Sequence, residues 1–408
     1  MKPLRIVVAG GGAAGFFGAI SAAEKNPQAS VVLLEKGIHL LSKVRISGGG
    51  RCNVTHACYD PRELSLRYPR GGKALIGPLT RFGPKETVAW FSSRGVKLKT
   101  EPDGRMFPVT DSSQCVIACL TQAARGAGVN VVTQSGIQSV AITQGGVFIL
   151  GLDKGSTMEC HRLLWATGGC GRGPHPLTPL GHGLTPAVPS LFTFHLAEDW
   201  IRSLAGLSIQ DTEVAVPDLR LQERGPVLLT HEGLSGPAVL RLSAWGARAM
   251  HEKGYRFPVS LDWIPGQSPE QSRQEIQNRR KHQGAKTLFR SGWPLLPSRL
   301  WEQLCGFAGI TPDERWSKLA REKEIRLLQV LHQTKLEVIG KSMNKEEFVT
   351  CGGISLAEVD MKTMESRKVP GLYFAGETLD IDGITGGFNF QAAWTTGWIA
   401  GQSMAEDD

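Results

Sequence analysis

Three glycines, Gly10, Gly12 and Gly15, stand in the spacing Gly-x-Gly-x-x-Gly between the apolar run LRIVVA and the small-residue stretch FFGAISAAEKN. An acid, Glu35, closes the next apolar run, VVLLE. This order of strand, glycine turn, helix, strand and acid can grip a dinucleotide. Gly10 permits a tight turn, Gly12 lets a pyrophosphate approach the backbone, and Gly15 lets the helix pack closely on the strand. The helix N-terminus, at Ala13 and Ala14, offers N–H groups and partial positive charge to the phosphates. Glu35 is placed to accept hydrogen bonds from a ribose diol.

A second constellation lies near the other end of the chain. GLYFAGETLD reads as a buried strand ending in Gly376-Glu377, followed by the glycine turn GITGGFN and a helix beginning near Asn389. A second strand end with an acid suits a long cofactor with a ribityl chain. The following helix N-terminus suits negative charge on the pyrimidine edge of a reduced flavin. FAD is therefore expected rather than NAD, and bound without a covalent link. LLWATGG, with Ala166, Thr167 and Gly168, is another strand ending in glycines, where the chain can cross a dinucleotide at the sheet. SGGGRCNVTH (47–56) is the fourth signal, because consecutive glycines lose more backbone freedom on folding than other residues.

These residues need a scaffold. The chain has 408 residues, 41% hydrophobic and 21% charged, which suits a globular protein of two domains or of one domain with a large insertion. Strand and glycine-turn texture occupies both ends, with an amphipathic helix at 112–128 and successive strands to about 169. From 189 to about 264, short strands alternate with Pro and Gly turns. From 268 to 331 the chain reads as helices broken at SGWPLLPS and GITPDE. The expected fold is α/β: a Rossmann-like dinucleotide-binding domain from 1–189 and 345–408, interrupted by an insert at 190–344.

No run of 18 apolar residues is present, so a membrane-spanning helix is not expected. MKPLRIVVAG enters a strand at once, which leaves no room for a leader peptide ahead of the fold. Eight cysteines (Cys52, Cys58, Cys115, Cys119, Cys160, Cys170, Cys305 and Cys351) form no CxxC pair. That argues against zinc and against a disulfide framework, and points to the cytoplasm. The net charge of +8 is concentrated at 268–344, which holds 14 Lys or Arg against 8 Asp or Glu. A solvated helical face or an anionic partner would each explain it.

GGGAAG, SGGGRCNVTH, THEGLSGPAVLRLS (230–243) and the segment from TCGGISLAEVD to GFNFQAAWTTGWIAG (350–401) together resemble the HI0933-like flavoproteins. These are FAD-dependent oxidoreductases related in their nucleotide domain to glutathione reductase-like and fumarate reductase-like proteins. The resemblance runs from about residue 4 to 401. It implies that Ser47, Gly48, Gly50, Arg51, Cys52 and Asn53 lie against the cofactor. It also implies that Gly376, Glu377, Asp382, Gly383, Gly386, Gly387, Phe388, Asn389 and Gln391 line the ribityl and isoalloxazine end. Lys36, Lys43 and Ile137 complete the expected cofactor contacts. Family members commonly carry Gly-Arg-Lys before the SGxGRCN loop, where this chain has Leu41-Ser42-Lys43, so an arginine contact there is not expected. The insert is expected as a small β-barrel with a helical portion that covers the flavin.

The implied activity is hydride exchange between FAD and a small-molecule substrate, with NAD(P)H or oxygen as the other redox partner. The family includes amine-type oxidases and reductases of conjugated double bonds, and no catalytic acid or base stands out. A disulfide reductase is an alternative by fold, but it would need paired redox cysteines and a second nucleotide fingerprint. A flavoprotein that binds RNA through the basic insert is another. His231 and Ser235 in THEGLSGP could face a cleft, yet they lack a nucleophile-elbow context and read better as a turn.

Overall fold

In the computed structural model, residues 3–169, 176–342 and 349–406 are described. Cys170, Gly171 and Gly173 fall outside them. The chain divides into two compact units, Met1–Pro189 with Lys345–Asp408, and Ser190–Asn344.

The first unit is built on a seven-stranded sheet in the order Val359–Asp360, Glu365–Ser366, Leu372–Phe374, Arg162–Trp165, Arg5–Ala9, Ser30–Leu34, Asn130–Val132. The last five strands run parallel, and Leu34, Ala9, Trp165 and Phe374 stand in register at their C-terminal ends. The chain therefore leaves four neighbouring strands at one level, just before Glu35, Gly10, Ala166 and the Ala375–Glu377 corner. Strand Arg5–Ala9 is flanked on both sides, so connections diverge from it; ligands of open α/β sheets bind at such a switch point.

Two helices cover this centre. Ala13–Lys25 and the C-terminal Phe388–Met404 approach closely because both carry small residues at the contact, with Gly397 against the backbone of Ala14 and Gly401 against that of Gly18. Phe17, Phe91 and Trp394 pack beside this seam, all with 1% exposure or less. Ser113–Gly126 is the amphipathic helix expected at 112–128, capped by Ser112 Oγ. An antiparallel meander of Ile137–Ile142, Phe148–Leu152 and Thr157–Cys160 precedes strand Arg162–Trp165.

The second unit contains a closed barrel of strands Thr193–Leu196, Gly233–Ser235, Leu221–Leu229, Ser208–Val216, Phe257–Asp262 and Thr334–Ser342. Alternate residues, such as Val214, Val216, Val259 and Leu261, point into a continuous apolar core. Helices Pro269–Gln283, Ser298–Phe307 and Arg321–His332 join that core through Ile276, Trp301 and Leu327. The reading of 189–264 as strands and turns needs correction, because Pro237–Trp245 and Ala247–Glu252 are helical. Gly236 stops the strand at a φ of +95° and Pro237 opens the helix, whose apolar face, Val239 and Leu242, is buried in the barrel core. His231 lies exposed in a turn closed by Thr230, and Ser235 accepts a hydrogen bond from Thr193 Oγ1 at 3.0 Å.

Candidate functional site

The glycine turn leaves strand Arg5–Ala9 beneath the end of strand Arg162–Trp165. Gly10 N–H donates to Leu34 O at 2.8 Å, and any side chain on Gly10 would run into Ala166 O and Thr167. A side chain on Gly15 would run into the carbonyl of Gly10, so helix and turn meet backbone to backbone. Gly12, by contrast, faces open space, with nothing within 4 Å of where a Cβ would stand. It caps helix Ala13–Lys25, whose first turn holds no acid and whose N-terminus receives no side-chain cap. The N–H groups at Ala13 and Ala14 thus face a gap where an anion can sit.

Glu35 stands beside this gap. Its carboxylate accepts from Gly11 N and Gly37 N, each at 2.7 Å, one bond to each oxygen. Each oxygen keeps a further lone pair, enough to accept from a ribose diol. The acid therefore also shapes the turn it is expected to serve. Lys36 is exposed, and Ile137 follows Gly136, against which the Lys36 stem packs. Glu35→Gln keeps one good acceptor and loses the other. FAD affinity should fall by about 1.5–3 kcal/mol, the scale of one hydrogen bond to a charged group. Cofactor titration of the apoprotein checks this, and unchanged affinity would place the ribose elsewhere.

The Ser47–Asn53 loop follows the short helix Ser42–Ile46. Gly48, Gly49 and Gly50 have φ of +59°, +68° and +84°, and Cys52 joins them at +63°. Four left-handed residues in this short loop explain the glycines by conformation. Gly49 and Gly50 face open space, whereas Gly48 lies against Phe107. Arg51 turns away from a free position: its guanidinium bonds Glu101 at 2.7 Å and lies 4.0 Å from the centre of the Phe107 ring. Ser47 O accepts from Cys52 N at 2.9 Å.

Cys52 is buried, and burial pushes its thiol up to about 12, which keeps it protonated at neutral pH. Cys160 is pushed to about 12 and Cys119 to about 11 for the same reason. Among the described residues, no disulfide links Cys52, Cys58, Cys115, Cys119, Cys160 or Cys305. Cys52→Ser should therefore retain both FAD and turnover. Turnover lost with FAD retained would revive a thiol mechanism.

The C-terminal segment meets these elements directly. Gly376, at φ +68°, places its α-carbon against Ala14, with a hypothetical Cβ 2.8 Å from the Ala14 Cβ, and its N–H donates to Thr396 Oγ1 at 2.9 Å. Glu377 forms an ion pair with Lys43, so two expected contacts from opposite ends of the chain are joined. Gly168, also at positive φ, accepts from Thr378 Oγ1 at 3.3 Å. Asn53, with its amide oxygen toward Gly387 N–H at 3.0 Å, ties the glycine loop to the C-terminal turn.

Other expected contacts serve the frame in this structure. Asp382 is fully buried and gripped by Arg70, with Nε donating to Oδ1 at 2.6 Å and Nη2 to Oδ2. Asn389 clamps Gly383, donating to its carbonyl at 2.9 Å and accepting from its N–H at 2.8 Å. Gln391 is fully buried, and its oxygen accepts from Thr55 Oγ1 at 2.6 Å and Thr87 Oγ1 at 3.0 Å. Phe388 is buried, stacks on His56, and fills the space beside Gly386. Arg70, Thr55, Thr87 and Thr396 were missed in the sequence. Their one available signal was that a lone acid and a lone amide in an apolar segment must find partners.

The residues fit a dinucleotide with a flavin end. The uncapped N-termini of Ala13–Lys25 and Phe388–Met404 and the open space at Gly12, Gly49 and Gly50 all belong to the first unit. The HI0933-like protein Rossmann domain matches residues 4–403, so the chain belongs to the HI0933-like family of FAD-dependent oxidoreductases. It is similar to the ribosomal RNA dihydrouridine synthase of Escherichia coli (strain K12), with 30% identity over 417 residues, 99% of this chain and 98% of that one. It is also similar to the 3-dehydro-bile acid delta(4,6)-reductase of Clostridium scindens, with 29% identity over 413 residues, 98% of this chain and 99% of that one. The 3-ketosteroid delta1-dehydrogenase of Sterolibacterium denitrificans shares the fold, with a TM-score of 0.53 at 11% identity over 99% of this chain and all of the other. No described helix is long and apolar enough to cross a membrane.

Proposed function

We propose that this chain reduces a carbon–carbon double bond conjugated to a carbonyl group, using bound FAD and a nicotinamide nucleotide as donor. The observation that carries this reading is its full-length similarity to two enzymes whose names share one reaction type. Dihydrouridine is uridine with the ring double bond beside its carbonyl saturated. A 3-dehydro-bile acid delta(4,6)-reductase likewise acts on double bonds in line with a 3-oxo group. Conjugation matters because the carbonyl accepts the charge left when a hydride adds to the far carbon. FAD supplies that hydride when bound and reduced.

The chain's own residues bind and orient. The N–H groups at Ala13 and Ala14 take the pyrophosphate, and Glu35 takes the adenosine ribose. The Ser47–Asn53 loop and the Gly386–Asn389 turn hold the flavin end. The N-terminus of Phe388–Met404 favours negative charge beside it. The buried, protonated cysteines disfavour a disulfide reductase.

The test begins with the yellow protein under anaerobic conditions, reduced by NADH or NADPH and followed at the flavin absorption band. A conjugated enone, either a 3-oxo-4-ene steroid or a uracil-containing RNA, is then added. Reoxidation of the flavin with formation of the saturated product supports the reading. A reduced protein that oxygen reoxidises but both acceptors leave untouched would overturn it.

A further inference from the structure

The short strand Thr55–His56 and the loop before it brace the flavin-end turn at several residues. Asn53 meets Gly387 N–H through its amide oxygen, and Thr55 O crowds Gly387. The His56 ring stacks on Phe388, with centroids 4.8 Å apart and planes inclined by 24°. Tyr68 also holds Phe388, packing edge-on at 6.3 Å and donating to Phe388 O at 2.8 Å. Of these groups His56 alone can gain a charge near neutral pH, since burial keeps the Tyr68 hydroxyl protonated.

The partners of the ring fix its tautomer. Nε2 lies 3.1 Å from Asp103 O, and a carbonyl only accepts, so Nε2 carries the proton. Nδ1 is then a bare acceptor, buried and without a partner among the described residues. The turn at 101–105 closes over this edge of the ring: a Cβ on Gly104 would stand 2.4 Å from Cε1 and 3.2 Å from Nδ1. The charged groups facing the ring are Asp103 and Arg105 on that turn and Arg67 beyond helix Pro61–Ser65. From Gly386 to Gln391, the segment packed against the ring carries no charge. The Asp103 carboxylate is already committed, Oδ2 accepting from Arg105 Nε at 2.7 Å and Oδ1 from Arg105 N–H at 3.2 Å. Burial holds the proton affinity of His56 below that of an ordinary imidazole, with Arg67 and Arg105 also against protonation and Asp103 in its favour.

We propose that His56 is a positioning residue for the flavin: its neutral ring clamps Phe388 and with it the Gly386–Asn389 turn, and protonation at Nδ1 releases the clamp. The protein then holds FAD less tightly in acid. The inference rests on the placement of the flavin end at this turn and not on which substrate is reduced. A cation over the face of Phe388 would itself be attracted. That gain is smaller than the cost of enclosing a charged N–H with no acceptor and two arginines nearby. Swinging off Phe388 into water removes the cost. A histidine whose proton affinity is depressed in the fold costs nothing above the usual value of 6.5 and progressively more as pH falls below it.

The experiment dilutes the FAD-loaded full chain into buffers from about pH 5 to about pH 8 at constant salt, and reads released flavin by fluorescence. It compares the wild type with His56→Phe and His56→Gln. Phe keeps the stack without a titrating nitrogen. Gln keeps a donor for Asp103 O and cannot charge, and it serves should the Phe variant fold poorly. Wild-type FAD affinity is expected to be level above about pH 7 and to fall about tenfold by about pH 5, whereas either variant changes less than about threefold. By linkage FAD must lower the proton affinity of His56 by the same factor, which the Cε1–H resonance missing from the variants' spectra reports. Equal acid loss in all three proteins, or a wild type that keeps its affinity in acid, would overturn the proposal. A His56 resonance blind to FAD at every pH would overturn it together with the flavin placement. A flattened profile in the variants with no double bond reduced by the wild type would support the clamp and sink the reductase reading alone.

Discussion

Arg70→Leu should destabilise the first unit by about 3–5 kcal/mol, the cost of stripping one partner from a buried ion pair. Asp382 is fully buried, and Arg70 meets both of its oxygens. Without the guanidinium, the carboxylate would have to remain charged away from water with this partner lost, or take up a proton; either raises the energy of the folded state. The consequence should reach the cofactor, because Asp382 sits one residue before Gly383, which Asn389 clamps to the start of the C-terminal helix. Urea unfolding followed by flavin release should show an earlier midpoint in the variant. Arg70→Leu/Asp382→Leu should recover most of the loss, since an apolar pair of similar volume leaves no buried charge. A single variant as stable as the wild type would mean that the pair contributes nothing and that Asp382 has another sufficient partner.

Gly387→Val should abolish stable FAD binding. Gly387 has a φ of +91°, where a branched residue is strained, and a Cβ would stand 2.7 Å from Thr55 O and 2.8 Å from the side-chain amide of Asn53. The obstacle is protein backbone, which has little room to give. Left-handed strain alone costs on the order of 1–2 kcal/mol, and the overlap adds to it. The turn must move, breaking the link from Gly387 N–H to Asn53 and re-aiming the uncapped helix start behind it. Flavin content of the purified variant should drop more than tenfold. Any retained flavin should have a more negative reduction potential, because reduction adds charge that the helix no longer stabilises. Gly387→Ala shares the strain without the branching and should show a weaker form of the same change. Full occupancy with an unshifted potential would make Gly387 a packing glycine and move the flavin elsewhere.

Much of this site was legible from local sequence. A strand, a glycine turn and a helix are encoded by residues adjacent in the chain, so Gly10, Gly12, Gly15 and Glu35 could be assigned before any contact was known. The helix Ser113–Gly126 was legible for a similar reason, through its apolar period. At 237–252 the same reasoning failed. The short apolar run PAVLRLS fits a strand as well as a helix, and burial of Val239 and Leu242 in the barrel decided between them.

The roles of individual side chains were less accessible. Arg51, Asp382 and Gln391 were expected at the cofactor because they belong to its diagnostic segments, yet in the structure they bond Glu101, Arg70, and Thr55 with Thr87. Asp382 lies 312 residues from Arg70 in the chain. Nothing local selects that arginine among the 46 Lys and Arg residues. The triple glycine shows the same division. Its composition announced an unusual backbone, but only the fold showed that Gly48, Gly49 and Gly50 are left-handed and that Gly48 alone is pressed by a neighbour. By itself, the sequence determined the turns and periods, because these follow from backbone preferences over a few residues. The tertiary structure decided which polar groups remain available to a ligand, because a buried charge or amide must be satisfied by whatever the packed sheet brings within 3 Å or so of it.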